Sequence, residues 1–228
     1  MIDVLLLAAM AEETAPVLAG HQAVALEVPH GKAWRLEHEG RSVVLVTCGI
    51  GLVNSAAATA LAIAQHQPRV VISLGSAGGL GASVLPGDII VGRSYRYADA
   101  DATAFGYEYG QIPSMPSSYP GGEQLISLVE ADDSDASVHV GEIISGNSFV
   151  AGEITPVLRE RFPEALAADM ESTAIAQVAW SRGVPFVCVR AISDLCGPSA
   201  GDDFRGSIDD VAERSAAAVW RLVEKLPA

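Results

Sequence analysis

Apolar residues along this chain fall in short runs of strand length, interleaved with alanine-rich stretches of helical period. Ile2–Ala9 is the first run, broken only by Asp3, and it leads through Ala-Met-Ala-Glu-Glu into a helix-like segment reaching Leu18. Ala23–Glu27, Ala33–His38 and Ser42–Cys48 read as short strands with Gly31 and Gly40 at the turns between them. Strands joined by such short turns form a meander, so the sheet is expected to be mixed rather than purely parallel. Gly49-Ile50-Gly51 opens onto a helix over Leu52–His66, after which Val70–Leu74 is a buried strand ending at Gly75-Ser76-Ala77-Gly78-Gly79. Pro86-Gly87-Asp88 starts a strand that runs to about Tyr97. The following Asp99–Pro116 has no sustained period, yet it carries aromatics, a Met and prolines, as functional or interfacial loops do. Gln124–Ala131 and Thr155–Phe162 read as helices and Val138–Ser145 as a strand. Ala167-Ala168-Asp169-Met170-Glu171 is read as the entry to a helix whose faces carry Met170, Ala174 and Val178. Val184–Asp194 is nearly continuous in apolar residues, the mark of a strand covered on both faces, and Ile208–Leu226 is an amphipathic closing helix.

Two charges interrupt the Val184–Asp194 run. A lone buried cation is costly, so Arg190 requires a carboxylate partner. Asp194 stands at the carboxyl end of the strand with Ser193, where ligands gather in open α/β sheets, although strand-ending Asp residues also form turns. The same rule brings Glu12 and Glu13, the Gly49–Gly51 turn, Ser76 and Phe149 toward one end of the sheet. Each has a plainer reading alone: the two glutamates suit a helix dipole, and Phe149 suits a core. Together they form an inventory of carboxylates, hydroxyls, backbone donors and an aromatic ring. No histidine adjoins these turns in sequence, and no Cys/His spacing suggests a metal. Acid–base hydrolysis of a neutral, planar-plus-sugar ligand fits that inventory better than acyl or phosphoryl transfer.

Composition narrows the field further. The 228 residues suit one domain, and half are hydrophobic with few aromatics, as in packed α/β proteins. A formal net charge of −14 repels phosphate backbones and anionic lipids, which argues against nucleic-acid and membrane-surface roles. Cys48, Cys188 and Cys196 read as free thiols of a cytoplasmic protein, and no apolar run approaches membrane-spanning length.

An ordered set of motifs then carries a resemblance over nearly the whole chain. Ala-Met-x-Glu-Glu, Cys-Gly-Ile-Gly, Gly-Ser-Ala-Gly-Gly, Gly-Asp-Ile-Ile-Val, Asp-Ala-Asp-x-Thr-Ala-Phe-Gly-Tyr-Glu, Asp-Met-Glu and Val-Arg-Ala-Ile-Ser-Asp follow one another. In that order they resemble the 5′-methylthioadenosine/S-adenosylhomocysteine nucleosidase family of the nucleoside phosphorylase superfamily. The resemblance implies a single α/β nucleosidase domain over residues 1–228, a central mixed sheet flanked by helices, and hydrolysis of an N-glycosidic bond without metal or cofactor. It implies Asp194 as the general acid toward adenine N7, Glu13 as the group that activates water, and Arg190 as a helper holding that water. Glu171 is expected on the ribose hydroxyls with Met170 against the sugar, and Phe149 and Val150 on the adenine. Ser193 would position the acid, and Ser76 would belong to the sugar-and-water region. Ile50 and Phe204, with Ala102, Phe105, Tyr107 and Pro113 from a second subunit, would line an alkylthio pocket. A cytoplasmic homodimer is implied, in which Asp99–Pro116 completes the neighbour's site.

Three departures stand out: Ala11 replaces a common acid, Asp169 stands where Glu is commoner, and Leu195–Asp203 matches poorly. Futalosine hydrolysis, phosphorolysis and non-catalytic nucleoside binding are the rival readings. Phosphorolysis is disfavoured because Glu12 and Glu13 would repel a phosphate, and pure binding would not require Glu13, Glu171 and Asp194 together.

Overall fold

The continuous apolar runs become the strands of one mixed sheet. The structure is a computed structural model and describes residues 1–130 and 137–227. In chain order its elements are β1 (Ile2–Ala8), α1 (Ala11–Leu18), β2 (Val24–Leu26), β3 (Lys32–His38), β4 (Arg41–Thr47), α2 (Leu52–His66), β5 (Pro68–Gly79) and β6 (Ile89–Tyr97). They continue with β7 (Tyr119–Pro120), α3 (Glu123–Glu130), β8 (Val138–Ser145), α4 (Ile154–Arg161), β9 (Ala165–Asp169), α5 (Ser172–Ser181), β10 (Phe186–Asp194) and α6 (Ala200–Lys225).

The strands are ordered β10-β6-β8-β9-β5-β1-β4-β3-β2, and β10 also pairs with β5. That extra pairing curls five strands into a closed ring, while the β1–β4 meander extends from one side. The ring holds parallel pairs such as β5/β10 and antiparallel ones such as β5/β9, as the meander predicted for a mixed sheet. Alternate residues of the central strands face opposite layers. Leu5, Leu7, Val71 and Cys188 pack with Ala58, Ala62, Ile175 and Ala179 of α2 and α5. Val4, Leu6, Ile72 and Val189 pack on the other face with Leu125 of α3 and Val211, Val219 and Leu222 of α6. Both faces are therefore covered, and β10 is buried at every position. No helix among the described residues is long and apolar enough to cross a membrane.

Three sequence expectations require correction. Residues 165–169 form a strand rather than a helix entry: three alanines favour helix locally, but pairing with β8 and β5 overrides that preference. The Gly-Ser-Ala-Gly-Gly segment is not a turn but the second half of β5, extended by pairing with β10 and β9. Ser193 and Asp194 end β10, as the apolar run predicted, with a bulge between Ile192 and Asp194. The last helix starts at Ala200, so the last four residues of the poorly matching Leu195–Asp203 segment are helical, with Asp202 and Asp203 in the first turn where the dipole favours them. Ala131, expected to end α3, lies outside the described residues.

Tyr95 ties β6 to β10. Its hydroxyl donates to the Gly92 carbonyl at 2.8 Å and accepts the Cys188 N–H at 2.8 Å, and the side chain is fully buried. Tyr95→Phe leaves that buried N–H and carbonyl without the hydroxyl, and should cost about 1–3 kcal/mol of unfolding free energy by urea titration. A change within a few tenths would mean that the hydroxyl is dispensable.

Candidate active site

The carboxyl ends of β1, β5, β9 and β10 meet around one cavity. Among its lining residues are Met10, Glu13, Ile50, Ser76, Phe149, Val150, Asp169, Met170, Glu171, Ser193, Asp194 and Phe204. Eleven residues expected from sequence thus converge: Glu13, Ile50, Ser76, Phe149, Val150, Met170, Glu171, Ser193, Asp194 and Phe204 on its wall, with Arg190 immediately behind.

Glu13 is held from both sides of the first turn. Its Oε2 accepts the N–H groups of Ala9 at 2.9 Å and Met10 at 3.3 Å, so it caps α1 as the helix-dipole reading allowed. Its Oε1 accepts the backbone N–H of Ser76 at 2.9 Å and the Ser76 hydroxyl at 3.1 Å. Glu12, by contrast, is exposed and outside the cavity wall. This approach explains Gly75, whose φ is +140°: a Cβ there would lie 2.3 Å from Glu13 Oε1 and 2.6 Å from Arg190 Nη1.

Arg190 does find carboxylates, three of them. Its Nε lies 3.0 Å from Asp169, Nη2 lies 3.4 Å from Glu171, and Nη1 lies 3.9 Å from Glu13. The guanidinium also donates to the Leu74 carbonyl and the Ser73 hydroxyl, both at 3.2 Å. Only 1% of it is exposed, and it lies behind the cavity wall rather than on it. Strand alternation places it beneath the carboxylates, where it offsets their charge.

Glu171 accepts the Gly51 N–H at 3.0 Å, which ties it to the turn before α2. Burial pushes its carboxyl up to about 7; Arg190 opposes this, and Asp169 and Glu13 add to it. Asp194 faces a different environment. Its Oδ2 accepts the Ser193 hydroxyl at 2.8 Å and its Oδ1 accepts the Cys196 N–H at 2.8 Å. Burial holds it above the usual carboxylate range, the two hydrogen bonds oppose that, and Asp203 reinforces it. The ring of Phe149 is 48% exposed and meets Phe204 edge-on with centroids 6.0 Å apart, leaving an aromatic face open to a planar ligand.

Eight wall residues were not among those expected from sequence, and Asp169 and Cys196 are two of them. Asp169 ends β9, where Oδ1 accepts the Ser145 hydroxyl at 2.6 Å and the Ser172 N–H at 3.1 Å, anchoring the start of α5. The Asp-x-x-Ser spacing at a helix start was a usable signal for it. Cys196 joins the wall because Gly78 leaves room: a Cβ on Gly78 would lie 2.5 Å from its sulfur. Burial pushes its thiol up to about 12, so it is an uncharged wall group rather than a nucleophile.

Ala102, Phe105, Tyr107 and Pro113 do not reach this cavity. Ala102 is buried, Phe105 is 82% exposed at the end of a single 3₁₀ turn over Thr103–Phe105, and Pro113 is exposed. No group of three or more His, Cys, Asp or Glu among the described residues could hold a metal ion.

The phosphorylase superfamily pattern matches residues 3–224. Over 204 residues, 88% of this chain and 90% of the relative, the sequence is 41% identical to 5′-methylthioadenosine/S-adenosylhomocysteine nucleosidase of Staphylococcus aureus strain JH9. The chain belongs to this nucleosidase family. Solved members of the family superpose closely. The nucleosidase of Neisseria meningitidis in complex with methylthio-immucillin-A has a TM-score of 0.96 at 34% identity, covering 99% of this chain and 100% of the other. The nucleosidase of Colwellia psychrerythraea 34H in complex with adenine has a TM-score of 0.94 at 32% identity, covering 99% and 96%.

Proposed function

We propose that this chain, as a single domain spanning residues 1–228, hydrolyses the N-glycosidic bond of 5′-methylthioadenosine and S-adenosylhomocysteine, releasing adenine and a 5-thioribose sugar. The observation that carries this reading is the convergence of Glu13, Glu171 and Asp194 on one cavity with an open aromatic face. Asp194, a carboxyl that burial keeps protonated to higher pH, donates a proton to adenine N7. Adenine leaves poorly as an anion, so protonation during C1′–N9 cleavage lowers the barrier. Water adds at C1′, and Glu13 accepts the proton that this water loses. Glu171 accepts hydrogen bonds from the ribose hydroxyls, and its charge, with that of Glu13, stabilises the oxocarbenium-like sugar. Phe149 stacks on the base, the Val150 backbone reads its edge, and Met170 packs on the sugar. Ser76 orients Glu13, and Ser193 positions the acid. Arg190 is a positioning residue acting through the carboxylates.

Water rather than phosphate is favoured as nucleophile by the absence of any Lys or Arg among the described wall residues, where a phosphate would need cationic donors. Ile50 and Phe204 form the alkylthio side. The exposed Phe105 and Pro113, with Ala102 and Tyr107, complete the site of a second copy in a homodimer. Cytoplasmic methionine salvage and removal of adenosylhomocysteine are the processes this activity serves.

The test is release of free base from methylthioadenosine, adenosylhomocysteine and futalosine in phosphate-free buffer. Adenine is expected from the first two, with rates unaltered by added phosphate. Strict phosphate dependence, or hypoxanthine from futalosine as the dominant product, would reverse the assignment.

A further inference from the structure

Cys196 adopts a left-handed backbone, φ +57°, which costs free energy for any residue with a Cβ. Such a conformation persists only where its surroundings hold it. Here the Cys196 carbonyl accepts two hydrogen bonds, from the Gly152 N–H at 3.0 Å and from the Thr155 hydroxyl at 2.6 Å. Gly152 lies in the turn before α4 and Thr155 in its first turn. The same helix sends Arg159 back over the chain, with Nε donating to the Leu80 carbonyl at 2.9 Å and Nη2 to the Leu195 carbonyl at 3.4 Å. What this brace delivers is the Cys196 N–H, aimed at Asp194 Oδ1 at 2.8 Å.

We propose that Thr155 is a positioning residue for the proton donor Asp194, acting through the left-handed backbone of Cys196. The inference rests on the nucleosidase reading, in which Asp194 is the acid. Hydrogen-bond accounting gives the brace its chemical meaning. A backbone N–H on Oδ1 makes that oxygen an acceptor, so the transferable proton sits on Oδ2, beside Ser193. The Ser193 hydroxyl, 2.8 Å from Oδ2 and 3.3 Å from the Ala77 carbonyl, has one hydrogen to give. Donated to Oδ2, it stabilises the carboxylate once the proton has left. A slack Cys196 would free Oδ1, let the carboxyl rotate, and spread the proton over both oxygens.

The Cys196 N–H also favours the charged form of Asp194, against burial and against Asp203 on α6. Arg159 on α4 is a cation acting on this segment, and Glu13 and Glu171 share the cavity. Removing the Thr155 hydroxyl therefore has two consequences with a common cause. Proton delivery becomes less productive, and Asp194 stays protonated to higher pH.

The experiment is the pH profile of kcat/KM for adenine release from methylthioadenosine by wild type, Thr155→Val and Thr155→Ser, with a thermal melt of each. Thr155→Val should lower kcat/KM about tenfold, the scale of one well-placed hydrogen bond, and move the alkaline limb upward by roughly half a unit. Thr155→Ser, which keeps the hydroxyl, should restore both. A Thr155→Val loss with the limb in its wild-type place, or a serine variant as impaired as the valine at equal thermal stability, overturns the proposal. Wild type lacking adenine release or an alkaline limb would instead overturn the nucleosidase reading, and this inference with it.

Discussion

Asp194→Asn is expected to lower turnover by about 10²–10⁴-fold or more while leaving the binding of a non-hydrolysable nucleoside analogue nearly intact. The surroundings of Asp194 accept the amide without reorganisation. Its carbonyl can keep the Cys196 N–H now 2.8 Å from Oδ1, and its NH₂ can donate to Ser193 Oγ, which turns its own hydrogen to the Ala77 carbonyl. Every hydrogen bond of the site is kept and only the transferable proton is lost. Stability sets a second expectation with a definite sign. The folded carboxyl lies above its ordinary value because burial disfavours its charged form, and Asp203 adds repulsion. A group raised in this way contributes stability below its unfolded value and loses it as pH rises through the folded value. At pH 8 the neutral amide escapes that penalty, so the variant should melt no lower than wild type. Turnover within tenfold of wild type would remove Asp194 from the role of acid. A large drop in melting temperature would show instead that the charged carboxylate is needed for folding.

Sequence reasoning reached most of this site because its chemistry lies at strand ends, and strand ends are readable wherever apolar runs stop. Glu13, Ser76, Phe149, Ser193 and Asp194 follow from that rule, and the need of Arg190 for a carboxylate partner follows from burial alone. The rule fails where a strand does not look like one. Residues 165–169 hold three alanines and no β-branched side chain, so local preference favours helix, and only the neighbouring strands make them β9. A helix entry over these residues gives Asp169 no tie to Arg190, whereas at the end of β9 it is the closest carboxylate to the guanidinium at 3.0 Å. The glycines at 75 and 78 misled in the opposite way. They suggest a turn, yet they sit in a strand because Glu13, Arg190 and Cys196 occupy the space their side chains would need. Those are contacts between residues far apart in sequence, and no local window records them. The same holds for Arg190 itself. Its presence in a buried run is legible, but its withdrawal behind the carboxylates depends on the face that β10 turns toward β5.

Arg190→Met should be the most destabilising of the substitutions considered, by about 3–5 kcal/mol at neutral pH. Methionine fills much of the same volume without a charge, so the cost is electrostatic rather than a cavity. Asp169, Glu171 and Glu13 lie within 3.0–3.9 Å of the guanidinium, and its loss leaves three buried carboxylates with nothing to offset them. Burial already pushes Glu171 up to about 7 with Arg190 in place, from an ordinary value of 4.5. Its contribution to wild-type stability is therefore complete below 4.5 and lost as pH rises through about 7. Removing the cation takes away the attraction that favoured the charged form, raising that carboxyl further and extending the loss to higher pH. The gap between variant and wild type should accordingly widen from pH 5.5 to pH 8 in urea unfolding, as protons replace the guanidinium at the lower pH but not at the higher. Turnover should fall with it, because Glu13 and Glu171 lose the shared cation that positions them and offsets their repulsion. A gap of equal size at both pH values would mean that Arg190 acts by packing, and the electrostatic account of the site would have to be given up.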